Sequence, residues 1–151
     1  ESLDMSNQIF KRADLKIKND QNISQELLPN AKEFINKGYQ NGIKNILLTN
    51  DSLDNTQKFL QLHELINKFM LIHTSDHMPH KPDPKVIHYI LDNLNIKPSN
   101  TAFIGDSDTD MKMASLSKCN LILGFTAGWE TNPKLCKHQY LVNDWNELDI
   151  L

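Results

Sequence analysis

Asp106, Asp108 and Asp110 fall within five residues, directly after the apolar run Thr101-Ala102-Phe103-Ile104-Gly105. Carboxylates this close repel one another, and a hard cation such as Mg²⁺ relieves the repulsion. The run reads as a buried strand ending in Gly-Asp and opening into a helix over Met111 to Lys118. That junction sets the acids at a strand's carboxyl end, the edge where open α/β sheets bind ligands. Two plainer uses compete. Ser107-Asp108-Thr109-Asp110 also fits a capping box, with Ser107 as the cap and Asp110 reaching back. A calcium loop is excluded, because its required glycine would be Met111 and its closing glutamate Ser117.

Two other stretches carry suitable groups. Thr49 and Asn50 end the apolar run Ile43 to Leu48 and offer a hydroxyl and backbone N–H groups. Lys81 lies in His80-Lys81-Pro82-Asp83-Pro84, where the following proline keeps it out of helical geometry. It stands just before a helix N-terminus, a place that favours anions. Taken singly, a threonine after a strand is a turn former and a lysine among prolines is solvated. Together, a hydroxyl, a fixed cation and a carboxylate pair suited to Mg²⁺ describe a phosphoryl site. His73, His77 and His80 match no zinc spacing and read as a solvated loop. Met111 and Met113 read as core filler, while Trp129 and Trp145 fit core, lid or interface equally well.

The elements that would hold these groups alternate. Residues 1 to 24 are polar, with a weak helical pattern from Ser6 to Asp14. Leu28-Pro29-Asn30 starts a helix that sets Ala31, Phe34, Ile35 and Tyr39 on one face, with Gly38 and Gly42 near its end. The Ile43–Leu48 run is continuous enough to be buried on both faces, as in a parallel sheet. A helix capped by Asp51 or Ser52 follows, with Phe59, Leu60, Leu62, Leu65 and Ile66 available for packing. Phe69 to His73 is the next strand. The clearest helix then carries Val86, Ile87, Ile90, Leu91 and Leu94, with Pro84 in its first position and Asp83 as N-cap. Strands at Asn120–Leu123 and Tyr140–Val142 and a helix from Trp145 complete the chain. The alternation predicts an α/β fold, a parallel sheet covered by helices on both faces, with all carboxyl ends on one edge.

The 151 residues suffice for one domain, burying roughly two thirds of the unfolded surface. A net charge of −3 with scattered lysines gives no nucleic-acid footprint. Apolar runs such as Leu121-Ile122-Leu123 are too short to cross a bilayer, and the opening Glu1-Ser2-Leu3-Asp4 is no signal peptide. Cys119 and Cys136 have neither metal spacing nor a disulfide framework, so the cytoplasm is the expected location. The first methionine is Met5, which processing, an arbitrary boundary of the chain or a missing upstream segment would each explain.

Leu47-Leu48-Thr49-Asn50, Lys81-Pro82-Asp83-Pro84 and Ile104-Gly105-Asp106-Ser107-Asp108-Thr109-Asp110 resemble motifs II, III and IV of the haloacid dehalogenase-like hydrolases. The likeness is greatest to the phosphoglycolate-phosphatase-like branch, which has a helical cap. Leu27 to Ala31 is similar to the point where the cap returns to the core. The resemblance implies a Rossmann-like three-layer sandwich, with residues 1–26 a cap remnant or flexible segment and 27–151 the core. It implies Mg²⁺-dependent hydrolysis of a small phosphorylated metabolite. Thr49 and Asn50 would bind the phosphoryl oxygens, and Lys81 would neutralise phosphate and nucleophile. Asp106 would bind Mg²⁺ directly and Asp110 through water or by orientation.

One motif is not found. The family's nucleophile and acid/base come from an Asp-x-Asp-x-Thr/Val stretch on the central strand, and neither Asp4-Met5-Ser6 nor Asp14-Leu15-Lys16 matches it. Without an aspartyl nucleophile the covalent route is closed, and the sheet would lack its middle strand. The expectation is therefore a carboxyl-terminal portion, inactive alone, whose missing strand lies on another segment or partner chain. The alternative is a degenerate homologue that binds a metal, a phosphate or another protein without catalysis. Neither a membrane nor a nucleic-acid partner is expected.

Overall fold

The computed structural model describes residues 2–5, 26–127 and 134–150. Its core is a six-stranded sheet of β1 (Ser2–Met5), β2 (Lys44–Leu48), β3 (Leu71–His73), β4 (Thr101–Gly105), β5 (Leu121–Phe125) and β6 (Tyr140–Val142). Their order across the sheet is β3-β2-β1-β4-β5-β6. Every pairing is parallel, so all carboxyl ends share one rim.

Among the described residues, four helices cover the sheet: α1 (Ala31–Gln40), α2 (Leu53–Leu62), α3 (Lys85–Asn93) and α4 (Asp108–Leu116). Strand side chains alternate between faces, and the core divides accordingly. Leu47 and Leu123 pack with Phe34 and Ile35 of α1 and Phe59 and Leu60 of α2. Ile46, Leu48, Phe103 and Ile122 pack with Val86, Ile90 and Leu91 of α3 and Met111 and Met113 of α4. This is the covered parallel sheet expected from the alternation of elements, and the three-layer, Rossmann-like α/β sandwich that the resemblance implies.

The sheet's middle is not empty. Ser2–Met5 lies between β2 and β4, with Asp4 in register with Ile46 on one side and Phe103 on the other. The place for which another segment or chain was expected is taken by the chain's own first strand. Four residues with only Leu3 and Met5 apolar are too few to reveal a strand by period. The remainder of the 1–26 segment up to residue 25, including the expected Ser6–Asp14 helix, lies outside the described residues, as does Trp129.

Smaller departures have local causes. Tyr39 is half exposed and Gly38 takes the inner position of α1 instead, because Asn45 of β2 presses against that turn: a Cβ on Gly38 would stand 3.0 Å from Asn45 Oδ1. The amide of Asn45 meanwhile ties α1 to the turn before β3, donating to the carbonyls of Ile35 and Lys68 at 3.1 Å each. The expected closing helix is a single 3-10 turn, Trp145–Glu147. The Trp145 indole, 4.4 Å from the Phe125 ring and 5.2 Å from Phe34, is core.

Candidate active site

Strand order reverses between β1 and β4, and in open parallel sheets the crevice at such a switch point takes the ligand. Thr49 follows β2 and Asp106 follows β4, one on each side of β1. Neighbouring strands are about 4.8 Å apart, which sets these two residues roughly 10 Å apart across the middle strand. Both are buried, at 1% exposure.

Thr49 is held by its backbone, its N–H donating to the carbonyl of His73 at 2.9 Å. Its hydroxyl oxygen accepts the Asp51 N–H at 3.1 Å, which turns the chain toward the Ser52 cap of α2. Asn50 stays exposed at the rim. Lys81 comes from farther away, on the loop after β3, yet its side chain is 2% exposed. Its Nζ donates to Asp110 Oδ1 at 2.7 Å, and Asp110 is fully buried. The β3 loop therefore reaches over the rim to α4, across the switch point.

Asp110 also performs the capping. Its amide donates to Ser107 Oγ at 3.1 Å and its Oδ2 accepts the Ser107 N–H at 3.3 Å. Capping box and ion pair use the same carboxylate, one oxygen each. Asp108 is diverted from the rim. Its Oδ1 accepts the Cys136 N–H at 2.8 Å and its Oδ2 pairs with Lys112 at 2.8 Å. The Cys136 contact and then Lys112 hold its carboxyl far below the usual range, and the same contact pushes the Cys136 thiol up. The three-acid cluster thus resolves into two buried carboxylates and one turned outward.

Asp106 and Asp110 supply the hard oxygen donors that Mg²⁺ prefers, and one or two carboxylates with water and substrate oxygens complete its shell. With Lys81 neutralising one of the two, a divalent ion would leave these three side chains net positive, suited to a phosphate. Among the described residues no group of three or more His, Cys, Asp or Glu side chains gathers to hold a metal. The histidine loop is not solvated throughout, because His73 is 4% exposed. α3 begins one residue later than expected, with Pro84 at its N-cap, while Asp83 Oδ1 still accepts the Lys85 N–H at 2.9 Å.

Three candidate positions are hidden in the sequence. The neighbours of Asp4 break the motif, and only the sheet order shows this residue on the middle strand. The packing of His73 and His77 around the Lys81 loop leaves no periodic signal.

Comparison with known proteins agrees with this fold. The family description "Haloacid dehalogenase-like hydrolase" matches residues 2–123, so the chain belongs to the haloacid dehalogenase-like hydrolases. Within them it falls in the phosphoglycolate-phosphatase-like branch. The phosphoglycolate phosphatase of Vibrio vulnificus is 28% identical over 104 residues, 68% of this chain and 45% of that protein. That of Psychrobacter arcticus is 28% identical over 132 residues, 85% of this chain and 56% of that one. The crystal structure of a predicted phosphoglycolate phosphatase from Haemophilus somnus superimposes with a TM-score of 0.74 at 24% identity, covering 81% of this chain and 55% of the other. The chain spans about half the length of the curated relatives it matches.

Proposed function

We propose that the rim site holds the phosphoryl group of a small phosphate monoester beside Mg²⁺, for hydrolysis of the ester. The observation that carries this reading is the buried Lys81–Asp110 pair at the switch point, with Asp106 on the adjoining strand end. Lys81 neutralises the phosphate, Thr49 and the Asn50 backbone bind its oxygens, and Asp106 and Asp110 hold the ion, which when bound supplies Lewis-acid stabilisation of the phosphoryl charge.

Asp4 is the nucleophile in this reading. The support is its place on the middle strand and a family match that begins at residue 2. A carboxylate oxygen of Asp4 attacks phosphorus as the bond to the ester oxygen breaks, and water then attacks the phosphorus, breaking the bond to Asp4 and releasing orthophosphate. In the first step the departing alkoxide needs a proton. Ser6 stands where the family pattern has its second Asp, and a hydroxyl is too weak an acid to supply that proton well. The chain by itself is accordingly slow or inactive. Its two cysteines, both free thiols, suit the reducing cytoplasm.

The test is hydrolysis of p-nitrophenyl phosphate with Mg²⁺. Little turnover is expected from the chain as given. Ser6→Asp should raise the rate about 10²-fold or more, the usual contribution of a positioned acid. Asp4→Asn in that background should remove the gain. A Ser6→Asp rate that Asp4→Asn leaves intact would overturn the assignment.

A further inference from the structure

We infer that His77, neutral and accepting at Nδ1, is a positioning residue that latches the β3 loop and so sets Lys81 in the site. The inference rests on the phosphoryl reading for its purpose, though not for its geometry.

The loop from Thr74 to Pro84 leaves β3 and must bring Lys81 back over the rim. Three imidazoles hold it. His73 Nε2 is 2.6 Å from the Pro79 carbonyl, and His80 Nδ1 is 2.8 Å from the Lys81 carbonyl. A carbonyl only accepts, so in both contacts the ring nitrogen carries the proton. Those bonds survive when the ring becomes charged. His77 is different. Its Nδ1 is 3.0 Å from the Thr74 backbone N–H, which can only donate. The nitrogen must therefore be bare, and the ring is neutral with its proton on Nε2.

Protonating His77 would set one N–H against another. The Thr74 hydroxyl, also 3.0 Å from Nδ1, can accept the new proton, but the amide of buried Thr74 would then lose its partner. The His77 ring also lies 5.0 Å from the His73 ring, so charge on one disfavours charge on the other. The other groups around this pair are Asp76, engaged by the Leu53 N–H at 2.7 Å, and Asp51, whose carbonyl receives both Ser75 donors. Tyr89 of α3 stands edge-on to His73 at 5.9 Å, and His80 completes the set. In the described contacts neither acid pairs with the His77 ring, so a charge there gains no counter-ion. Acidification consequently takes from the turn Thr74–His77 its ring-to-amide bond, leaving only the His77 N–H to Thr74 carbonyl bond at 3.1 Å, and so loosens the loop that delivers Lys81.

Nitrogen-15 spectra of the chain test this directly, through the imidazole, Thr74 amide and Lys81 Nζ signals. At pH of about 8, well above the ordinary histidine value, His77 should show its proton on Nε2. On lowering the pH, Thr74 N–H and Lys81 Nζ should shift together with the His77 ring nitrogens. His77→Asn keeps an acceptor for Thr74 and cannot take up a proton, so in it both signals should hold their high-pH positions. His77→Ala should weaken orthophosphate binding on the order of tenfold, as when a tenth of the loop population remains competent, and His77→Asn should restore it. A proton on His77 Nδ1 at high pH, or a Lys81 signal indifferent to His77, overturns the latch even if no variant folds. If Lys81 follows His77 while orthophosphate does not bind the wild type, the latch stands and the phosphoryl reading fails.

Discussion

Lys81 Nζ stands 2.7 Å from Asp110 Oδ1, with both side chains sealed from water although they come from opposite sides of the sheet's switch point. A pair so enclosed is costly to break from one side only. Lys81→Met should destabilise the fold by about 3–5 kcal/mol, because it strands a buried carboxylate. Lys81→Met with Asp110→Leu should recover a good part of that loss. Urea denaturation of the single and double variants provides the measurement.

Mg²⁺ should raise the melting temperature, and more so with orthophosphate present. A ligand at a hundred times its dissociation constant adds about 2.7 kcal/mol of stability. Asp106→Asn should remove the metal's effect without unfolding the chain. If calorimetry shows no response to the ion in the wild type even with orthophosphate present, Asp110 serves only as helix cap and ion-pair partner.

Ser107→Ala removes the hydroxyl that receives the Asp110 amide. The loss of an N-cap is worth roughly 0.5–2 kcal/mol. The substitution should also free Asp110 to swing about Lys81, so orthophosphate affinity should fall along with thermal stability. A second variant, Ser107→Asp, offers a carboxylate that caps equally well and should restore the stability.

Acid should weaken the fold through His73. Burial above all, and then the charges of His77 and His80, push its pKa below the ordinary 6.5, with only the Pro79 carbonyl acting the other way. A histidine with a lowered folded value is kept neutral, while the unfolded chain takes up a proton from about pH 6.5 downward. The stability it contributes is thus complete above that point and declines as the pH falls toward the folded value. His73→Gln keeps a donor for Pro79 without titrating, and it should flatten the slope of unfolding free energy against pH in that window.

The parts of this fold that were legible in advance are those with a long buried pattern. Ile46 to Leu48 and Phe103 to Gly105 show continuous apolar character, and Val86, Ile87, Ile90 and Leu91 follow the helical period, so sheet and helices could be read from spacing. The places of Thr49, Lys81, Asp106 and Asp110 near the sheet's rim could be read because each adjoins such an element. Ser2–Met5 could not, since its place depends on Asn45 and Ala102, remote residues that come into register with Leu3 only after folding. The fate of Asp108 was hidden for the same reason: Cys136, which turns it outward, is remote in the chain.

The ammonium of Lys81 already occupies one oxygen of Asp110, and the Ser107 amide the other. An ion bound there, as proposed, would therefore compete with a resident cation for that carboxylate. An anion would reverse the balance, because it would offer the ammonium a second acceptor and bring oxygens of its own. Thermodynamic reciprocity then requires that metal and phosphate strengthen each other's hold, so neither should bind tightly alone.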